Sequence, residues 1–186
     1  MTYRLSRLAE DNHNVYKQRR MKIRSVSTDD AGAIAAIYNH YILHTDISFE
    51  IMPLTADEMR SRIAAICGGG GDEAPYFVCE TDGTVAGYCY AHPWKERHAY
   101  YRSMETTVYV APSHHRKGIG TALMLRLIDC LRRDDDIHAL IACITGGNEA
   151  SCRLHERLGF RKVSHFKEVG YKFGKFIDVT DYELLL

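Results

Sequence analysis

Several features that would direct a chain to nucleic acid, a membrane or a metal are missing from these 186 residues. Lysine plus arginine and aspartate plus glutamate both number 24, so the formal net charge is zero. Without an overall basic field the chain has no general means of recruiting nucleic acid or an anionic membrane surface, and any positive site must be local. No apolar run approaches the roughly 20 residues that span a bilayer. The opening stretch MTYRLSRLAEDNHNVYKQRR lacks the apolar centre of a secretory signal. A cytoplasmic protein that binds neither nucleic acid nor membrane is expected. C-x-x-C is also absent. The six cysteines, at 67, 79, 89, 130, 143 and 152, lie mostly within apolar segments, which suits reduced core thiols better than disulfides or zinc. His40 and His44 have a metal-compatible i, i+4 spacing but no third ligand nearby, so no metal is expected. There is no internal repeat and no low-complexity tract.

What is present reads as one domain, long enough to bury roughly two-thirds or more of its unfolded surface. Residues 1–21 are polar and aperiodic and read as a mobile N-terminal extension, leaving residues 22–186 as the folded domain. KIRSV is strand-like. The following segment offers Ser27 and Thr28 as N-caps, acids in the first turn, and apolar residues at 34, 37, 38, 41 and 42, an amphipathic helix. A second helix starts at Thr55, with Glu58 closing a capping box, and stops at the four glycines 68–71. The period then changes. PYFVCE, TVAGYCYAH and METTVYVA read as three strands, the first two joined by the Asp82-Gly83 turn. Helical spacing returns in IGTALMLRLIDCLRR, HALIACIT is a buried strand, and NEASCRLHERL is a short helix ended by Gly159. Two β-rich segments close the chain. The order is β-α-α-β-β-β-α-β-α-β-β.

Between the third strand and the third helix lies VYVAPSHHRKGIGTALM, Val108 to Met124. Glycines at such a junction let a backbone approach a ligand closely, most often a phosphate. A P-loop is excluded because Thr121 and Ala122 follow Gly120; a dinucleotide fingerprint is excluded because position 123 is leucine. What remains is a helix N-terminus with unobstructed amides at Gly118 and Gly120 and positive charge from Arg116 and Lys117, suited to a pyrophosphate. An isolated G-x-G is equally compatible with an ordinary strand-to-helix turn.

The strand–R-x-G-x-G–helix arrangement, followed by a strand, Asn148 and a helix ending LHERLGF, resembles the GNAT superfamily of acetyl-CoA-dependent N-acetyltransferases over Ile23 to about Leu185. HPWKERHAY, ETTVYV, NHYI and RLHERLGF are similar to the phosphinothricin (methionine sulfoximine/sulfone) acetyltransferase group within it. The chain departs from that pattern at His115, at Gly147–Ala150, in the four glycines and in the N-terminal extension.

The resemblance implies an α/β (α+β) GNAT fold, a mixed and mainly antiparallel sheet with helices on both faces, whose central strands part to admit acetyl-CoA. It implies that Val108, Tyr109 and Val110 line the acetyl site through their main chain. Arg116, Lys117, Gly118, Ile119, Gly120 and Thr121 take the pyrophosphate, and Asn148 contacts the cofactor's arm. Acetyl transfer from a thioester needs a neutral amine and a stabilised oxyanion. Glu105 matches the proposed general base of the group, and His155 stands where many members carry a tyrosine assigned to protonate the leaving thiolate. A surface glutamate and a helix-surface histidine are the plainer alternatives. Lys95, Arg97 and Tyr100 form a basic, aromatic loop suited to a small anionic acceptor, with Arg97 able to grip a carboxylate; Phe49, Thr107 and Tyr109 complete the expected acceptor wall. The implied partner is a small amino-acid-like acid, with a homodimer formed near the C-terminus, where DVTDYELLL leaves apolar residues to cover. A peptide N-terminal acetyltransferase and a cofactor-binding module without turnover remain alternatives.

Overall fold

The computed structural model describes residues 21–68 and 75–186. The expected N-terminal extension, through residue 20, and the glycines at 69–71 lie outside the described residues. The elements are β1 (Met21–Ser25), α1 (Ala31–His44), α2 (Ala56–Cys67), β2 (Tyr76–Thr81), β3 (Thr84–Pro93), β4 (Ser103–Val110), α3 (Ile119–Leu131), β5 (Ala139–Thr145), α4 (Glu149–Arg157), β6 (Arg161–Lys162), β7 (Phe166–Lys172) and β8 (Lys175–Leu185). The order is the expected one with the two-residue β6 added, a piece too short to carry a period.

Local chemistry sets the boundaries. Ser27 and Asp30 form a capping box, but on a short 3-10 turn at Thr28–Asp30, so α1 begins at Ala31 rather than directly after Ser27. Thr55 and Glu58 form the expected capping box on α2. Asp82 and Gly83 both take positive φ, 51° and 78°, which matches the twist of the β2–β3 hairpin.

The sheet runs β1-β2-β3-β4-β5-β8-β6, with β7 on β8. Among the described residues only the β4–β5 pair is parallel. α3 packs on one face, where Leu123, Leu127 and Ile128 join Cys89, Leu140 and Ile144 in a core that Leu154 and Leu158 border. On the other face Ile34, Ile37, Met59 and Ile63 of α1 and α2 cover Tyr76, Val78 and Tyr88.

Two features position the site. First, β4 pairs with β5 only through Ser103–Ala139, Met104–Leu140 and Glu105–Ile141. Beyond Glu105, β4 stays with β3 as far as Val110, and β5 stays with β8 as far as Thr145. Each strand keeps one paired edge, and the facing edges open into a cleft. Second, β8 is interior: Tyr182 is buried, Leu184 and Leu186 are partly buried against the α3 core, and Leu185 stays 56% exposed, so the tail leaves some of its apolar surface uncovered as expected. Further exposed apolar groups cluster on the β7–β8 hairpin, where Val169, Tyr171, Phe173 and Phe176 are 59–64% exposed.

Candidate active site

A cavity of about 380 Å³ occupies the place where β4 and β5 part. Its walls come from both sides of the sheet. Tyr38, Ser48, Tyr90, His92, Glu105, Thr107, Tyr109 and Cys143 line it together with Val108, Ala142, Ile144, Ser151 and His155. The alternation of a strand explains this: Thr107 and Tyr109 share a face with Glu105, whereas Val108 joins the α3 core on the opposite face.

Glu105 sits inside β4, at the last paired position before the cleft opens. Burial pushes its carboxyl above the ordinary range; His92, its register partner on β3, opposes that shift, Asp181 adds to it, and the nearby Cys143 thiol reduces it. A carboxyl so placed is a stronger base than a solvated one while still opening onto the cavity. The reading as a merely solvated strand-edge glutamate does not fit this burial.

Beyond Glu105 the wall is tyrosine. Tyr109 packs against Tyr38, Tyr41 and Tyr88 at ring-centre distances of 5.1, 5.0 and 5.6 Å. The Tyr38 hydroxyl lies 2.9 Å from the Ser48 hydroxyl and donates to Glu50 at 3.1 Å, while Arg62 binds Glu50 in turn. Burial pushes Tyr38 and Tyr41 up to about 12, so both remain neutral donors across the working range. Phe49 also lines the cavity, its ring lying over Gly170: a Cβ added there would come within 2.3 Å of the ring. Lys172, buried, donates from Nζ to the Ser48 carbonyl at 2.6 Å, and Lys175 bridges Asp46 at 2.6 Å. The β7–β8 hairpin thus holds the segment that carries Ser48 and Phe49.

His155 is 3% exposed, so it is not a helix-surface histidine. Its Nδ1 lies 2.9 Å from the Ser151 carbonyl, which can only accept, so Nδ1 carries the proton. Nε2 then bears a lone pair, and it is buried without a partner. Burial also lowers the imidazole's proton affinity. This is the reverse of a resting acid: in this state His155 can accept a hydrogen bond but has no free N–H for a thiolate.

At the other end of the cleft Gly118 caps α3 with φ 82°, and no side chain caps the first turn. The amides of Ile119, Gly120 and Thr121 therefore have no helical partner, an arrangement that favours an anion. A Cβ at Gly120 would make only ordinary contacts, 3.5 Å to Leu154 and 3.7 Å to Val110, so its own fold does not demand glycine. Arg116 and Lys117 are exposed and meet no carboxylate among the described residues. His115 bonds the Val110 carbonyl at 3.0 Å and Tyr41 at 2.8 Å, fixing the end of β4. Asn148 lines the cavity and caps α4, its Oδ1 accepting from the Ser151 N–H at 3.2 Å. Uncapped amides, open main-chain edges and the orphaned Nε2 of His155 fit a diphosphate-bearing thioester with a pantetheine arm.

The structure does not bring Lys95, Arg97 and Tyr100 into the cavity wall. Lys95 lies 4.0 Å above the Trp94 ring and 5.1 Å from that of Tyr100, and Arg97 is exposed. The loop leaves β3 beside the site, however: Trp94 N–H bonds Ser103, two residues before Glu105. Sequence reasoning missed Tyr38, Ser48, Tyr90, His92 and Cys143. The period-two run Tyr88, Tyr90, His92 on β3 carried a signal for two of them, because each residue falls opposite the site strand; Tyr38, Ser48 and Cys143 carried none.

Residues 23–180 match the model of the acetyltransferase (GNAT) domain. The chain is 38% identical over 167 residues to a phosphinothricin N-acetyltransferase of Streptomyces coelicolor, covering 88% of this chain and 95% of that one. It is 37% identical to an L-methionine sulfoximine/L-methionine sulfone acetyltransferase of Salmonella typhimurium, covering 89% and 95%. A solved acetyltransferase from Salmonella typhimurium, with its cofactor acetyl-CoA, superposes with a TM-score of 0.83 at 35% identity over 90% of this chain and 94% of that one. Among the described residues no group of side chains could hold a metal ion, and no helix is long and apolar enough to cross a membrane. A cleft between parted strands, an uncapped helix N-terminus beside it and a half-buried carboxylate within it agree with these matches, and the chain belongs to the GNAT acetyltransferases as an acetyl-CoA-dependent N-acetyltransferase.

Proposed function

We propose that the acceptor is the α-amine of a small amino-acid-like acid, with phosphinothricin, methionine sulfoximine and methionine sulfone as the first compounds to test. The observation that carries this reading is Glu105, a half-buried carboxyl with raised proton affinity at the point where β4 and β5 separate. Relatives named for acetylating these compounds support the choice.

Glu105 takes the proton of the acceptor ammonium, directly or through water, and leaves a neutral amine. Val108, Tyr109 and Val110 offer main-chain groups to the thioester and pantetheine; Arg116 to Thr121 hold the diphosphate, and Asn148 and the Nε2 of His155 face the arm as hydrogen-bonding groups. Bound there, acetyl-CoA supplies an activated acetyl group. Phe49, Thr107, Tyr109 and Tyr100 shape a compact acceptor site, and Lys95 and Arg97 close over it to engage the acid group. This requires the Trp94–Tyr100 loop to fold inward from its exposed position. The enzyme works in the cytoplasm, free of nucleic acid and membrane, as a homodimer. The exposed apolar side of the β7–β8 hairpin supports the dimer.

A second reading, acetylation of a peptide N-terminus, is favoured by one feature. A neighbouring open cleft of about 490 Å³ shares Ile47 and Asn148 with the cavity and extends it toward His44 and Phe173. A thiol-release assay with acetyl-CoA against free amino acids, their sulfone, sulfoximine and phosphinate analogues, short peptides and polyamines decides between the two. Turnover of the small acids is expected, and turnover confined to peptides overturns the proposal.

A further inference from the structure

Four adjacent strands turn titratable side chains to the same face of the sheet, among them His92 on β3, Glu105 on β4, Cys143 on β5 and Asp181 on β8. His92 is the register partner of Glu105, and Cys143 is the register partner of Asp181. Glu105 pairs with Ile141, two residues before Cys143, so Cys143 falls on its side of β5 just where the strands begin to part. His92, Glu105 and Cys143 line the cavity, whereas Asp181 stands one strand further out. We propose that Asp181 is a positioning residue of the acetyltransferase site, acting on Glu105 through the Cys143 thiol that lies between the two carboxylates. This rests on the reading of Glu105 as the base.

The chemistry is a competition. A thiol has one proton to donate, and Cys143 stands on the strand between Glu105 and Asp181, on the face that both share. Burial and the two carboxylates raise its pKa, so it remains a thiol and a donor throughout the working range. Donated to Glu105, the S–H steadies the carboxylate and weakens it as a base; donated to Asp181, it leaves Glu105 more basic. The negative charge of Asp181 acts in the same sense as that second arrangement, and both strengthen Glu105. His92 acts in the opposite sense, because its protonated ring favours the Glu105 anion. Its Nδ1 is 2.9 Å from the Pro93 carbonyl and so carries a proton.

The other ionisable groups near Glu105 are accounted for. Tyr90 on β3 shares the face, and burial keeps it neutral. Tyr38 from α1 and His155 from α4 line the same cavity, the first neutral to about 12 and the second with lowered proton affinity. Glu183, two residues beyond Asp181 on β8, is the register partner of Arg161 on β6 and of Ile141 on β5, which pairs with Glu105 in turn; it is not among the charges that shift Glu105. Asp181 itself is held: its Oδ2 accepts from the Ser164 hydroxyl at 2.8 Å, a bond that asparagine can keep. Asp181→Asn therefore removes the charge with little disturbance of the strand.

The test reads Glu105 directly and needs no acceptor. In protein labelled at the glutamate side-chain carboxyl with carbon-13, the Glu105 resonance is assigned by its loss in Glu105→Gln, and its titration is followed by NMR. The midpoint should fall in Asp181→Asn and rise in both Cys143→Ala and His92→Gln. With Asp181 about two strand spacings from Glu105, its charge should change the ratio of protonated to ionised Glu105 by about threefold. A general structural role for Asp181 would not move the midpoint in opposite directions in these variants. An unmoved midpoint in Asp181→Asn overturns the inference, as does a Cys143→Ala shift in the same direction as that of Asp181→Asn. The base reading fails separately, if Glu105→Gln releases thiol as fast as the parent enzyme.

Discussion

The two ends of the cavity are built by different means. At the proposed cofactor end the groups on offer are main-chain amides and strand edges: β4 beyond Glu105, the first turn of α3 and the start of α4. At the proposed acceptor end they are side chains brought from α1, the segment after it, β3, β4 and β5. A main-chain site is fixed once the strands and helices are in place, and it tolerates many side chains. A side-chain site changes with single residues, which is the economical way for one fold to serve many acceptors.

Substitutions can break this comparison where it is strongest. Gly120→Arg should abolish measurable acetyl-CoA binding. The fold tolerates a Cβ there, so the loss comes from blocking the approach to the amides. Losing two charge-assisted bonds at about 1.5–3 kcal/mol each weakens affinity roughly a hundredfold or more. Isothermal titration, with circular dichroism to check folding, tests it, and unchanged affinity would remove the cradle from the cofactor site. At the other end, Glu105→Gln should lower kcat by roughly a hundredfold or more and leave acetyl-CoA affinity nearly intact. The parent's kcat/KM should fall on the acid side within a window above the ordinary carboxylate range, because the base works only when ionised and burial has raised its pKa. An acid limb at ordinary carboxylate pH would place the base elsewhere.

The same contrast explains what the sequence revealed. Local signals carried the cofactor end: capping boxes, the Asp82-Gly83 turn and the R-x-G-x-G helix start lie within a few residues of the structure they specify. Fold class followed from the changes of period. The acceptor end depended on register and on side-chain direction across strands far apart in sequence. Tyr38 meets Tyr109 from 71 positions away, and Cys143 reaches Glu105 only because β4 and β5 pair in parallel for three residues. The loop Trp94–Tyr100 shows the same limit: its composition suits an acid, and in this structure its side chains stack on one another outside the cavity wall.

That loop offers a sharper test with a smaller effect. If it closes over the acceptor, Arg97→Ala should raise the KM for methionine sulfone about tenfold, the worth of one exposed charge-assisted pair, with little change in kcat or acetyl-CoA affinity. An unchanged KM would leave Arg97 a solvated surface residue and place recognition of the acid within the side-chain wall.

The smallest expected effect is on stability, and it separates His155 from Glu105. Burial holds the His155 imidazole below its ordinary pKa, so the folded protein keeps it neutral while the unfolded chain takes up a proton below about pH 6.5. The unfolded state then binds more protons, so this contribution is fully present above that pH and is lost as the pH falls below it. Glu105 has the opposite sign: its folded-state affinity is raised, so its contribution is present in acid and is lost as the pH rises. His155→Leu should therefore flatten the fall in Tm between pH 7 and 5, by about 2–4 °C for a chain of this size, whereas Glu105→Gln should raise Tm at pH 8 more than at pH 4. Calorimetric scans across that range read both. Parallel Tm profiles for His155→Leu and the parent would mean that the imidazole takes up its proton over the same pH range folded as unfolded. Nε2 would then be open to protonation in the folded protein, and the acid role for His155 in releasing the thiolate would return.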